Sequence, residues 1–143
     1  IMEGLGRLFD VVTVGNGVWI NLEDAAAVTF IGSRAGGDTF TVQEATTAAG
    51  TGAQNLVVVD HFYKQTAGAG ANQWTKTEND PPTASAVTTD AAVAIEVDSK
   101  SLSDGFKYVR CSGPGVTPSS IVVAIVHSLA VQRDPTALPA LSS

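Results

Sequence analysis

Short runs of alternating apolar and polar residues, closed every eight to twelve residues or so by glycine, asparagine or proline, constrain this chain more than any other feature. In Thr39-Phe-Thr-Val-Gln-Glu44, Phe40 and Val42 point one way while Thr39, Thr41 and Gln43 point the other. In Ala92–Asp98, Val93, Ile95 and Val97 form an inner face, and Ala94, Glu96 and Asp98 face outward. A period of two is the mark of a strand with one buried side. Charged residues are only 15% of the 143, too few to give a series of helices their polar faces. The pattern predicts an all-β fold, a β-sandwich of about nine or ten short antiparallel strands or a closed barrel.

The turns divide the chain further. Val11-Val-Thr-Val14 and Val18-Trp-Ile20 flank Gly15-Asn16-Gly17, and such a turn predicts a hairpin over residues 11–22. Val28–Ile31 ends at Gly36-Gly37-Asp38, and residues 45–53 hold at most one helical turn because of Gly50 and Gly52. Leu56–Gln65 reads as one long strand, apolar on both faces at its start, crossing the centre of a sheet. Asn79-Asp-Pro-Pro82 cannot lie in a central strand, because proline donates no ladder hydrogen bond. Ser103-Asp104-Gly105 and Gly113-Pro-Gly115 precede the last strands. The expected organisation is an extended arm over 1–10, anchored by Leu5, Leu8 and Phe9, a sandwich over 11–131, and an extended tail over 132–143 carrying Pro135 and Pro139.

A chain of this length buries a sizeable core without metals or disulfides, and the single cysteine, Cys111, rules out an internal bridge. This favours synthesis in a cytosolic compartment. Fourteen acidic residues against eight basic ones give a net charge of -6 with no basic cluster, which disfavours binding to nucleic acid. The longest apolar run, Ile121–Val126, is far below the roughly 20 residues of a membrane helix. The start, Ile1-Met-Glu-Gly-Leu-Gly-Arg7, lacks the basic and apolar regions of a secretion signal. No membrane partner is expected.

Groups capable of chemistry are sparse. His61 and His127 lie in strand patterns, and no Gly-x-Ser-x-Gly elbow accompanies them. Glu44, Glu78, Glu96 and Asp98 are the carboxylates a glycosidase pair would draw on, with Glu96 and Asp98 on one strand face beside solvent or Arg110. Glu78-Asn-Asp80 offers loop oxygens without the spacing of a calcium loop. The expectation is therefore no catalytic set, no metal and no cofactor. Trp19 and Trp74 are either core indoles or exposed stacking platforms, with at least one expected in the core. Asp104-Gly-Phe-Lys-Tyr108 has the form of a tyrosine corner, giving Tyr108 a role in the fold.

Over residues 27–133 the order of Thr39–Glu44, Trp74-Thr-Lys-Thr77, Ile95-Glu-Val97 and Asp104-Gly-x-x-Tyr-Val-Arg110, followed by a last long strand, resembles the head-decoration, or cement, proteins of tailed bacteriophages. The resemblance implies a jelly-roll-like sandwich and a virion protein made in the bacterial host cytoplasm. It implies a subunit that binds the outer capsid surface in many copies, with the major capsid protein as partner and a homotrimer as the usual state. On that reading Leu5, Leu8, Phe9, Pro135 and Pro139 are candidates for draping over neighbours, and Trp74, Tyr108 and Arg110 for interaction or support. The rival readings are a carbohydrate- or receptor-binding module of a tail or fibre, resting on Trp19 or Trp74, and a small glycosidase resting on Glu96 or Glu78.

Overall fold

The computed structural model describes residues 11–12, 15–65, 73–115 and 119–127. The arm anchors Leu5, Leu8 and Phe9, the tail prolines Pro135 and Pro139, and both proposed end segments lie outside the described residues. Among the described residues eleven strands are present: β1 (Val11–Val12), β2 (Ile20–Asn21), β3 (Ala27–Ser33), β4 (Asp38–Ala45), β5 (Gln54–Asn55), β6 (Val59–Gln65), β7 (Trp74–Thr83), β8 (Ser85–Thr88), β9 (Ala92–Asp98), β10 (Tyr108–Ser112) and β11 (Ile121–His127). They form two antiparallel sheets. One has the order β1-β11-β3-β9-β6-β7; the other runs β2-β10-β4-β5, with β8 also on β4. The expected all-β sandwich is present.

Pairing is nested. β1 pairs with β11, β2 with β10, β3 with β9 and β4 with β8, and successive pairs alternate between the sheets. The chain thus folds back on itself as a ribbon that rolls between two layers. β6 and β7 form a hairpin that widens the six-stranded sheet beyond β9.

The alternation read from the sequence decides which side chains meet between the layers. Val28 and Phe30 of β3, Phe40 and Val42 of β4, and Val93, Ile95 and Val97 of β9 are buried together with Phe62, Val109, Cys111, Val122, Ala124 and Val126. Phe40 fills a slot made by missing side chains, since a Cβ on Gly32 would approach its ring to 2.6 Å and one on Gly113 to 2.8 Å. Close packing of this kind leaves no room for even one added methyl group. Cys111 sits in the same core, where burial pushes its thiol up to about 12.

Two expectations give way to long-range pairing. The predicted hairpin over 11–22 is absent: Gly15 and Gly17 do adopt positive φ, but β1 joins one sheet and β2 the other. Asn16 instead docks on the far end of β10, its amide nitrogen donating to Gly113 O and its oxygen accepting from Gly113 N, both at 2.8 Å. The predicted strand over 56–65 splits, because Leu56 still bonds Val42 in the smaller sheet while residues from Val59 onward belong to the larger one. Tight bonds from Val58 N to Leu56 O and Asp60 N to Val58 O turn the chain between them. Residues 46–53 form turns, with Gly50 N bonded to Thr47 O and Ala53 N to Gly50 O, within the ceiling of one helical turn that Gly50 and Gly52 set.

Other readings hold. β6 lies inside its sheet between β9 and β7, and β7, which carries Pro81 and Pro82, lies at the sheet edge, where missing donors do no harm. There Asn79 ties the two sheets together. Its amide donates to Val59 O, Thr83 Oγ1 and Ser85 O, each at 3.1 Å, just where the chain leaves β7 for β8.

Phe40→Ala is expected to cost about 3–5 kcal/mol in urea unfolding, because the slot between Gly32 and Gly113 cannot collapse; a loss below about 1 kcal/mol would mean that the slot does close. Native Cys111 is expected to resist Ellman's reagent at pH 8 and to react fully on unfolding. Because its folded pKa is raised, its stabilising share is complete below pH 9 and is lost as pH rises towards about 12. The alkaline loss of stability is therefore expected to be shallower in Cys111→Ala, measured by denaturant titration between pH 8 and 11.

Candidate functional site

Two outward faces carry the singled-out residues, and strand register sets what each displays. On the six-stranded sheet the pairs Trp74↔Gln65, Gln65↔Ala92, Ala92↔Ser33 and Ser33↔Ile121 form one transverse row. Lys76↔Tyr63, Tyr63↔Ala94, Ala94↔Ile31 and Ile31↔Val123 form the next. Directly opposed residues share a face, so Trp74 and Tyr63 project together from the β6–β7 hairpin. They are 43% and 41% exposed, large for aromatic side chains and well suited to contact. Sequence reasoning singled out Trp74 and missed Tyr63, although Phe62 at the core parity already placed its neighbour outward.

Beside these aromatics lies a hollow of about 50 Å³ lined by Thr29, His61, Tyr63, Ala94 and Glu96. It has room for a few water molecules and not for a sugar ring. His61 Nδ1–H donates to Asp60 Oδ1 at 2.7 Å, and its ring meets Tyr63 edge-on at 5.8 Å. His127 Nε2 and Thr29 Oγ1 share a hydrogen bond of 2.7 Å between β11 and β3. Asp98 accepts from Lys100 N at 2.9 Å and caps a single 3₁₀ turn over Ser99–Ser101. Among the described residues each candidate acid or base thus has a local structural partner, apart from Glu96, which is exposed at the rim of the hollow.

Glu78 and Asp80 are not in a loop, as the sequence suggests, but in the edge strand β7. Glu78 pairs with Lys76 at 2.6 Å, and that hydrogen bond raises the pKa of the fully exposed lysine. Asn79 between them is committed to the crossover described above. Among the described residues no group of three or more His, Cys, Asp or Glu side chains is arranged to hold a metal ion.

The five-stranded sheet presents a different face. Trp19 is 7% exposed, yet it lies outside the core between the sheets. It is covered from without by the Arg110 guanidinium, 4.5 Å from the ring centre. Gly50, at φ +82°, lets the 47–53 turns close over the indole, where a Cβ would sit 2.7 Å from Nε1. Arg110 Nε and Nη2 donate to Gln43 Oε1 at 3.0 and 2.7 Å, and Gln43 Nε2 donates to Asn55 Oδ1 at 3.0 Å. A polar ribbon therefore crosses β10, β4 and β5. Arg110 stands in the opposite sheet from Glu96 and Asp98, so it cannot pair with them, and those carboxylates face solvent.

Tyr108 lies on this outer face, half-buried, and its hydroxyl bonds to none of the described residues, so the tyrosine corner does not form among them. The corner is held instead by Glu44, at 1% exposure. Its carboxylate accepts from Ser103 N at 2.8 Å, from the Ser103 hydroxyl, and from Gln54 Nε2 at 2.7 Å, fixing the 102–105 turn against β4 and β5. At the same end of the sandwich Leu22, Glu23, Ser99, Leu102, Phe106 and Lys107 line a hollow of about 250 Å³, just below the size of an ordinary small-molecule pocket. Lys107 Nζ spans its rim to Glu23 at 2.8 Å.

Comparison with protein-family models, with curated proteins and with solved structures found no match to this chain.

Iodide is expected to quench about half of the native tryptophan emission, because Trp74 is exposed and Trp19 is covered, and Trp74→Phe should abolish the quenching. Equal quenching of both indoles would refute this arrangement. Glu44→Ala is expected to cost about 1–3 kcal/mol in thermal or chemical unfolding by stripping Ser103 and Gln54 of their acceptor.

Proposed function

We propose that the chain is a capsid decoration subunit that binds the outer surface of a tailed-phage head, bridges neighbouring capsid subunits and stabilises the expanded shell. The observation that carries this reading is the nested pairing, β1 with β11 through β4 with β8, alternating between two sheets. That order supports a jelly-roll wrapping, an architecture found in viral capsid and lectin domains. The resemblance over residues 27–133 points to the same class. The link from fold to role is an analogy. It is supported by side chains such as Glu44, Asp98, His61 and His127 being engaged in local hydrogen bonds. A subunit that binds only the assembled shell stabilises it by mass action, and many weak contacts on a lattice add up through avidity.

A second reading, a carbohydrate- or receptor-binding module, draws on one specific feature. Trp74 and Tyr63 stand exposed on the same face of the β6–β7 hairpin, a suitable platform for stacking on a sugar.

Co-sedimentation with expanded and unexpanded phage heads separates the two. Saturable binding to expanded heads, lost on removal of DNA-driven expansion, is expected for decoration. Absence of binding to any head, together with a glycan-array signal abolished by Trp74→Ala, would replace decoration with the second reading.

A further inference from the structure

We propose that the edge strand β7 pairs antiparallel with β7 of a second copy of this chain about a two-fold axis at Thr77, joining two six-stranded sheets into one continuous sheet. β7 is the longest strand, ten residues, and it ends its sheet; among the described residues only β6 pairs with it. An edge of that length is a ready template for another strand unless charge or proline blunts it. Pro81 and Pro82 do blunt the far end, which confines pairing to residues 74–80. Within that span the charges favour self-pairing.

The register follows from which residues would lie opposite one another. For two copies to keep their outer faces on the same side of the joined sheet, the axis must pass through a residue and not between two. An axis at Lys76 sets lysine against lysine; one at Glu78 opposes Lys76 to Asp80 but sets glutamate against glutamate at its centre and shortens the overlap within 74–80 to residues 76–80. An axis at Thr77 sets Lys76 opposite Glu78 of the second copy, and by symmetry Glu78 opposite its Lys76. Each copy already holds Lys76 Nζ 2.6 Å from its own Glu78, so the four charges close into a neutral cluster on one face. Trp74, 43% exposed, falls opposite Asp80 and diagonal to Pro82 of the second copy, within reach of an aromatic ring. The contact is isologous, as a two-fold requires.

This pairing does not depend on the virion reading, and its test needs no capsid. Sedimentation equilibrium of the full chain over a concentration series should show a monomer–dimer equilibrium. Lys76→Glu and Glu78→Lys, both at exposed positions, should each weaken self-association about tenfold or more while leaving the circular dichroism spectrum unchanged. An equimolar mixture of the two variants should dimerise again, since every 76–78 contact is then of opposite charge, and so should the double variant Lys76→Glu/Glu78→Lys. A wild-type chain that stays monomeric into the millimolar range overturns the proposal. So does an oligomer that is indifferent to the single reversals, or one that neither the mixture nor the double variant restores.

Discussion

Because the strands that open the chain hydrogen-bond to those that close it, β1 to β11, β2 to β10 and β3 to β9, neither sheet can form until nearly the whole chain is in place. Each of these pairings carries the loop-closure entropy of the residues between its partners before any apolar surface is buried in return. What offsets it is the single core between the layers, where Phe30, Phe40, Phe62 and Ile95 are all but inaccessible to water. Remove the alternation that builds this core and the long pairings have nothing to hold them.

The same alternation that fills the core consigns every second side chain to an outer face, and the two outer faces have different characters. The six-stranded sheet exposes Tyr63, Trp74 and Ile121. On the five-stranded sheet, Arg110, Gln43 and Asn55 form a hydrogen-bonded ribbon that seals Trp19 beneath it. The Arg110 cation lies over a covered indole and donates Nε and Nη2 to Gln43, whereas the aromatics of the β6–β7 hairpin are exposed. The β6–β7 hairpin widens one sheet only, so one outer face exposes aromatic side chains while the other keeps its indole covered.

Much of the strand content was legible in the sequence because side-chain parity is a local property. Phe40 and Val42 point inward with Glu44, and Val93, Ile95 and Val97 point inward opposite Glu96 and Asp98, as the pattern of each segment requires. Pro81 and Pro82 excluded a central strand for an equally local reason, though not the edge strand that the structure builds from 74–83. The failures share one cause. The Gly15-Asn16-Gly17 turn forms, but a turn fixes only the direction of the chain, and β1 and β2 go to separate sheets because their partners lie about a hundred residues away. Leu56–Val59, apolar on both faces, looked like part of a central strand; instead the chain crosses between the sheets there, with Leu56 and Val59 in the core and Val57 exposed. The exposed pair Trp74 and Tyr63 was only half legible, since hydrophobic type does not say which face a tryptophan takes.

By itself the sequence determined an all-β chain, the inward parity of its principal strands, the places where it turns and the exclusion of Pro81 and Pro82 from any central strand. These follow from φ/ψ preferences, from proline's missing donor and from a period of two, all of which act within a few residues. Tertiary structure alone decided that the pairings are nested, that Trp19 is buried outside the main core under Arg110, and that Glu44 rather than Tyr108 holds the 102–105 turn. Those outcomes depend on which distant strand supplies a hydrogen-bond partner, and that choice is made by the shared core as a whole and is encoded in no single segment.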